Sequence, residues 1–366
     1  MPSFDNGKNQ KVMKMEFPIF VSCYTFNHAP YIEDTMNGFA RQETKVPFIC
    51  SIVDDASPDG TVQVIDQYLE QHFTQDVEGA FEEEREYGRV TLACHRENSN
   101  CWFLVIRLKE NHYSKNKDKR PYYAEWYETA KYIAICEGDD YWIDSSKLET
   151  QYQFLEKNNE YNLIYSRVYV YNQTLGKVTG IHGRVRKTLY DRMMKGCFIP
   201  TCTILYRKRD VENYEKDIRP SEHHWRMGDI PLFLYLGTKG YGKMQKQITT
   251  NYRLLTESAS HSKDVSKVVA QSESTRDVFL FFANKYFPDD QRMRNRIQAA
   301  HLYRVFRSYP IQELPEQYKK EIIEIKDNRG KTLMAKFIVK HPNTLKFYDI
   351  IAKLKMKVLM RMDKHS

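Results

Sequence analysis

The apolar run Tyr132–Cys136 (YIAIC) passes directly into EGDD, so a short strand ends on three carboxylates: Glu137, Asp139 and Asp140. An apolar run this short, with no strict alternation, predicts a strand covered on both faces and therefore a sheet flanked by helices. Carboxylates packed this closely repel one another unless something positive sits among them. The simplest such partner is a divalent cation, Mg²⁺ or Mn²⁺. The same residues also fit an acidic turn in which Asp144, Ser145 or Ser146 caps the next helix, and the cluster alone leaves both readings open.

Similar runs at 18–24 (PIFVSCY), 47–53 (PFICSIV) and 90–94 (VTLAC) join 132–136 as predicted strands, with helical stretches between them. The pattern is that of an α/β domain with a mostly parallel sheet. A helix is expected from near Ala29, and a second after the SPDGT turn, capped by Ser57 or Asp59 and carrying Val62, Ile65, Tyr68 and Leu69. Segments 74–89 and 109–125 read as polar surface excursions. Further strands are expected at 162–172, 196–206 and 243–253, with a helix at about 229–238. From about Asp264 the pattern is helical.

Several function classes are excluded or weakened by composition. The chain of 366 residues is long enough for a full core, and 41% hydrophobic with 13% aromatic residues argues against disorder. Its seven cysteines are odd in number, form no CxxC pair, and several lie inside strand-like runs, which fits buried structural thiols in a reducing cytoplasm. No secretory signal or membrane-spanning run is evident. The net charge of +8 is concentrated at the end, where residues 331–366 carry nine Lys or Arg against two Asp. A near-neutral first 330 residues makes a nucleic-acid role a poor fit. Within the tail, 344–362 mixes Leu345, Ile350, Ile351, Leu354, Val358 and Leu359 with Lys346, Lys353, Lys357 and Arg361. That segment suits either a helix lying on an anionic membrane or one packed on the domain with a solvated basic face.

Three acidic sites follow one another along the chain. Asp54 and Asp55, in IVDDASPDGT, end a buried strand where carboxylates can accept from a base or a ribose, or merely hold the turn. EGDDYW is the second. In the third, GDIPLFLYL, Asp229 opens an apolar helix, as an N-cap or as a general base.

Taken in order, VSCYTFNHAPYI, IVDDASPDGT, KYIAICEGDDYW, FIPTCTILYR and GDIPLFLYLGTKG resemble a bacterial family 2 glycosyltransferase of the GT-A fold, over roughly residues 17–260. The resemblance implies a Rossmann-like, mostly parallel sheet flanked by helices, with a helical extension at 261–330 after the catalytic domain, a tail at 1–16 and the basic segment at 331–366. It implies an inverting enzyme that uses a divalent cation and moves a sugar from a nucleotide diphosphate donor, with UDP expected. The acceptor would be a hydroxyl of a glycan or lipid-linked acceptor in surface polysaccharide synthesis, such as capsule or lipopolysaccharide. The enzyme would be cytoplasmic or peripheral on the inner face of the membrane.

Carried over by residue, Ser22, Tyr24 and Thr25 line the nucleotide pocket, and Asp54 and Asp55 contact base and ribose. Asp139 and Asp140 stand in the metal and diphosphate motif, both as metal ligands and Asp139 also toward the nucleotide, while Glu137, a further metal candidate, stands where the family often has aspartate. Asp229 matches the catalytic base, and His261 falls in a region that sometimes supplies a further metal or phosphate contact. Trp142, His223, His224 and Trp225 are expected on the acceptor side. The chain departs from the family between Cys94 and Lys131, where it is longer. Two rival readings are a sugar nucleotidyltransferase, for which the first strand lacks a glycine-rich basic loop, and a non-catalytic protein binding a membrane surface through its tail.

Overall fold

The computed structural model describes residues 16–197, 199–255 and 264–342. They form two compact units. The first holds the described residues up to 185 with 199–212 and 239–254; the second holds 186–197, 213–238 and the described residues from 255 onward.

In the first unit the described residues build a twelve-stranded sheet. Its strands are β1 (Ile19–Thr25), β2 (Phe48–Asp54), β3 (Phe73–Thr74), β4 (Phe81–Arg85), β5 (Gly88–His95), β6 (Cys101–Leu108), β7 (Tyr132–Ile135), β8 (Tyr141–Trp142), β9 (Tyr161–Asn172), β10 (Lys177–His182), β11 (Leu205–Arg207) and β12 (Tyr241–Leu254). They lie in the order β3-β5-β6-β2-β1-β7-β11-β9-β12-β8, with β4 on β5 and β10 on β9. The stretch β6-β2-β1-β7 is parallel throughout, as the unalternating apolar runs require. Helices α1 (Ile32–Ala40), α2 (Thr61–His72), α3 (Ala124–Thr129) and α4 (Lys147–Lys157) connect these strands. The core joins β1, β2 and β7 to α1, α2 and α4 through Val21, Ile52, Ala134, Phe39, Ile65 and Leu148. All seven cysteines are buried free thiols.

Several local expectations shift. The run at 101–108 is a central strand that the polar reading of its surroundings passes over: every residue of β6 is buried, and Arg107 is tolerated there because Asp66 and Thr91 accept from its guanidinium. Part of the 74–89 excursion pairs with the sheet as β4. Of the expected strand at 196–206 only Leu205–Arg207 pairs, after a single 3₁₀ turn at Thr201–Thr203. α1 begins at Ile32, because His28 to Tyr31 close a turn in which the His28 carbonyl accepts from Tyr31 and Ile32. α2 takes Gly60 as its N-cap, at φ +95° where a side chain is strained, in place of Ser57 or Asp59.

The second unit is helical: α5 (Leu189–Lys195), α6 (Tyr214–Ile218), α7 (Asp229–Lys239), α8 (Val265–Tyr286), α9 (Gln291–Ser308), α10 (Glu316–Glu324) and α11 (Gly330–Lys340). Asp264 caps α8, accepting from the Ser266 and Lys267 N–H groups. Leu302, Val305 and Phe306 of α9 pack with Ile322 and Ile338 of the two helices that follow. No helix among the described residues is long and apolar enough to cross a membrane. His261 and the amphipathic segment 344–362 lie outside the described residues.

Candidate active site

Parallel pairing in register brings three strand ends to one edge of the first unit. Thr25 of β1 lies opposite Asp54 of β2, and Ser22 opposite Ile135 of β7. The loops that follow are stitched to β1 by its carbonyls. Thr25 accepts from the Asp55 N–H, Tyr24 from Gly138 and Ser22 from Cys136, each at 3.0 Å. Ligands of open α/β sheets bind at this carboxyl edge.

At the end of β2 the carboxylates are used by nearby chain. Asp54 is fully buried and accepts from the Ser57 N–H at 3.0 Å and its hydroxyl at 2.5 Å. Burial still pushes its carboxyl up, against those bonds. Asp55 accepts from the N–H groups of His112 (2.8 Å) and Tyr113 (3.0 Å) and from the Lys119 ammonium (2.7 Å). Burial alone would raise its carboxyl, yet Lys119 and the two N–H groups outweigh it and hold it below the usual range. The long segment between Cys94 and Lys131 thus folds over Asp55. Lys119 also sits 5.4 Å over the Tyr24 ring, whose hydroxyl bonds that of Tyr123 at 2.7 Å. Asp59 ties the two neighbouring loops together, accepting from Ala29 N–H and from the Thr61 N–H and hydroxyl.

The second acidic turn is held from a distance. Asp140 is 3% exposed and turned inward, where its carboxylate accepts from the Arg253 N–H at 2.8 Å. Burial pushes this carboxyl well up and the charges of Asp139 and Glu137 add to that, while Arg253 N–H and the Cys202 thiol oppose them. Arg253, near the end of β12, is itself 5% exposed. Its guanidinium donates to the Asp139 carbonyl (2.8 Å) and to the Asp34 carboxylate of α1, and it lies 4.3 Å from the Tyr141 ring centre and 5.2 Å from that of Tyr31. Gly138 is required by close approach: a Cβ there would sit 2.7 Å from the Thr25 side chain and 2.9 Å from His28 Nδ1. Sequence reading passed over Arg253. It is one of three basic residues in the mixed strand YGKMQKQITTNYRL, and no local partner marks it out.

Trp142, expected on the acceptor side, lies in the core instead. It is 3% exposed, its ring meets Phe39 edge-on, and its indole N–H donates to the Cys202 carbonyl at 2.8 Å. Lys147, wholly buried, places its ammonium 4.1 Å from the same ring centre.

No group of three or more His, Cys, Asp or Glu side chains among the described residues is arranged to hold a metal ion. A Mg²⁺-like ion does not need such a cage, since it is commonly bound by one or two carboxylates together with substrate phosphates and waters. Glu137 and Asp139, half-buried at the sheet edge, have the oxygen donors for that arrangement.

In the second unit Asp229 is the first residue of α7 and half-buried. Burial pushes its carboxyl up, against the N–H groups of the helix start. His223 stacks on Trp225 with ring centres 4.3 Å apart, Phe281 packs edge-on to both, and His224 is exposed at φ +52°. These residues belong to the second unit and those of the sheet edge to the first.

Residues 21–91 match the model of Glycosyl transferase family 2. Over 187 residues the chain is 26% identical to the uncharacterized protein Rv1520 of Mycobacterium tuberculosis, covering 50% of this chain and 45% of that protein. Over 210 residues it is 22% identical to the UDP-Glc:alpha-D-GlcNAc-diphosphoundecaprenol beta-1,3-glucosyltransferase WfaP of Escherichia coli, covering 55% and 79%. The structure of S. aureus TarS superposes with a TM-score of 0.50 at 14% identity, over 87% of this chain and 49% of that one. The chain thus spans about half the length of the mycobacterial relative and of TarS. The fold is GT-A, and the segment of the chain that forms β1, α1, β2, α2 and the strands up to β5 is similar to Glycosyl transferase family 2.

Proposed function

We propose that the chain transfers a sugar, with inversion, from a UDP-sugar to a hydroxyl of a lipid-linked glycan acceptor in surface polysaccharide synthesis. The observation that carries this reading is the convergence of Thr25, Asp54, Asp55 and the Glu137–Asp140 turn at one carboxyl edge of a parallel sheet. UDP and a lipid-linked acceptor are inferred from the E. coli relative, a glucosyltransferase that takes UDP-Glc and a diphosphoundecaprenol-linked acceptor.

In this reading the pocket lined by Ser22, Tyr24 and Thr25 takes the nucleotide, and Asp139 with Glu137 holds a divalent cation, Mn²⁺ or Mg²⁺. When bound, such a cation offsets the charge developing on the departing diphosphate. Asp229 takes the proton of the acceptor hydroxyl as the new C1–O bond forms and the bond from C1 to the diphosphate breaks on the opposite face. A carboxyl raised by burial suits that role, because a base works best when its pKa approaches the working pH. The charge of the tail, in this reading, keeps the enzyme at an anionic membrane where the acceptor resides.

The test is the melting temperature of the full chain with UDP, GDP, CDP and dTDP, each with and without Mn²⁺, in wild type and Asp139→Asn. A ligand at about 100 times its dissociation constant adds about 2.7 kcal/mol of stability. The expected result is a shift with UDP that requires Mn²⁺ and is lost in Asp139→Asn. A folded sample that responds to no nucleotide would sink the donor-site reading.

A further inference from the structure

The geometry points to Arg253 as the positioning residue of the acidic turn, a clamp that presets Asp139 for a metal–nucleotide complex. This rests on the donor-site reading above and adds a residue to it. Five contacts carry the inference. The Arg253 main-chain N–H, which any residue there would supply, fixes the inward Asp140 carboxylate, and the guanidinium, which only arginine supplies, fixes the Asp139 carbonyl. The guanidinium's other arm reaches Asp34 on α1, anchoring the turn to a helix of the same unit. Tyr31 and Tyr141 confine its plane. Arg253 itself is 5% exposed, so its bond to the Asp139 carbonyl is shielded from water, while its Asp34 partner lies open to solvent.

The arrangement has a consequence for charge. The carboxyl groups of Glu137, Asp139 and Asp140 are crowded into one four-residue turn, and like charges so placed repel one another. One fixed guanidinium supplies part of the compensation from within the protein and leaves the half-exposed Asp139 side chain in place at the edge. Partners that orient a ligating residue typically change metal affinity or activity about 10- to 100-fold when removed. Lysine keeps the charge but has no planar fork, so it cannot hold the Asp139 carbonyl and Asp34 together.

The experiment is calorimetric titration of Mn²⁺ with UDP into full-length wild type, Arg253→Lys, Arg253→Met and Asp34→Asn, with circular dichroism to establish folding. The donor and acceptor KM are measured alongside. Wild-type protein that fails to bind Mn²⁺ with UDP overturns the donor-site reading itself. Given wild-type binding, both arginine variants are expected to bind about 10- to 100-fold more weakly, with a raised donor KM and an unchanged acceptor KM. Asp34→Asn, which removes one half-exposed partner and leaves the arginine, is expected to weaken binding by a smaller factor. Wild-type affinity in folded Arg253→Lys overturns the clamp, as does an acceptor KM that rises in step with the donor KM. Where the arginine variants do not fold, unchanged affinity in Asp34→Asn overturns it.

Discussion

At the end of β2, Asp54 and Asp55 find their partners in Ser57 and in the loop bearing His112, Tyr113 and Lys119. At the end of β7, the turn from Glu137 to Asp140 is tied down by Arg253, more than a hundred residues away on β12. The first turn has both carboxylates committed to holding loops. The second turns one carboxylate inward and keeps another at the sheet edge. Two acidic pairs that look alike in sequence are therefore placed differently: one holds the loops beside it, and the other keeps a carboxylate at the sheet edge.

The comparison breaks most sharply at Asp55. Asp55→Asn removes the charge facing Lys119 inside a nearly buried pair, and a loss of about 3 kcal/mol is expected from urea unfolding. A loss no larger than that of a surface pair would mean that the loop of residues 109–125 is not anchored there. Gly138→Ala tests the second turn by steric means. Its Cβ would press on Thr25 and His28, and a cost of about 2 kcal/mol, read from the same denaturant curves, is expected together with weaker UDP binding. A neutral outcome in both measurements would show that the close approach of β1 and the acidic turn is dispensable.

The last effect is a slope. Burial lowers the Lys147 ammonium to about 7 from its ordinary 10.5. Below about pH 7 it is charged whether the chain is folded or not, and the burial cost is present in full. Between about 7 and 10.5 the unfolded chain binds more protons than the folded one, so stability rises with pH, by at most about 1.4 kcal/mol per unit. Lys147→Met should flatten this rise and gain most over wild type at neutral and lower pH. Parallel curves for the two proteins from pH 7 to 9 would exclude Lys147 as the source.

Much of the sheet was legible because its signals are local. The runs that became β1, β2, β5 and β7 are apolar without alternation, and that pattern follows from having both faces covered. β6 was missed because Arg107 and the polar residues around it mask an otherwise apolar run, and its bonds to Asp66 and Thr91 explain how Arg107 is buried. The helix starts were misplaced for a related reason. Ser57 and Asp59 look like caps, but Ser57 is bonded to Asp54, and Asp59, which accepts from the Thr61 and Ala29 N–H groups, sits one residue before Gly60, which takes the cap position. Trp142 offered a large aromatic beside the acidic turn, and sequence could not show that its ring is enclosed by Phe39 and Lys147.

By itself the sequence determined that acids would follow buried parallel strands, because strand period, apolar runs and turn residues act over a few neighbours. It also determined that Asp229 would open an apolar helix, as α7 does. Only the tertiary structure decided which carboxylates are consumed by the fold. Asp55 is claimed by a loop more than fifty residues on and Asp140 by a strand more than a hundred residues on. Burial and charge pairing depend on what the chain brings back from far along its length, and no local pattern around an aspartate records that.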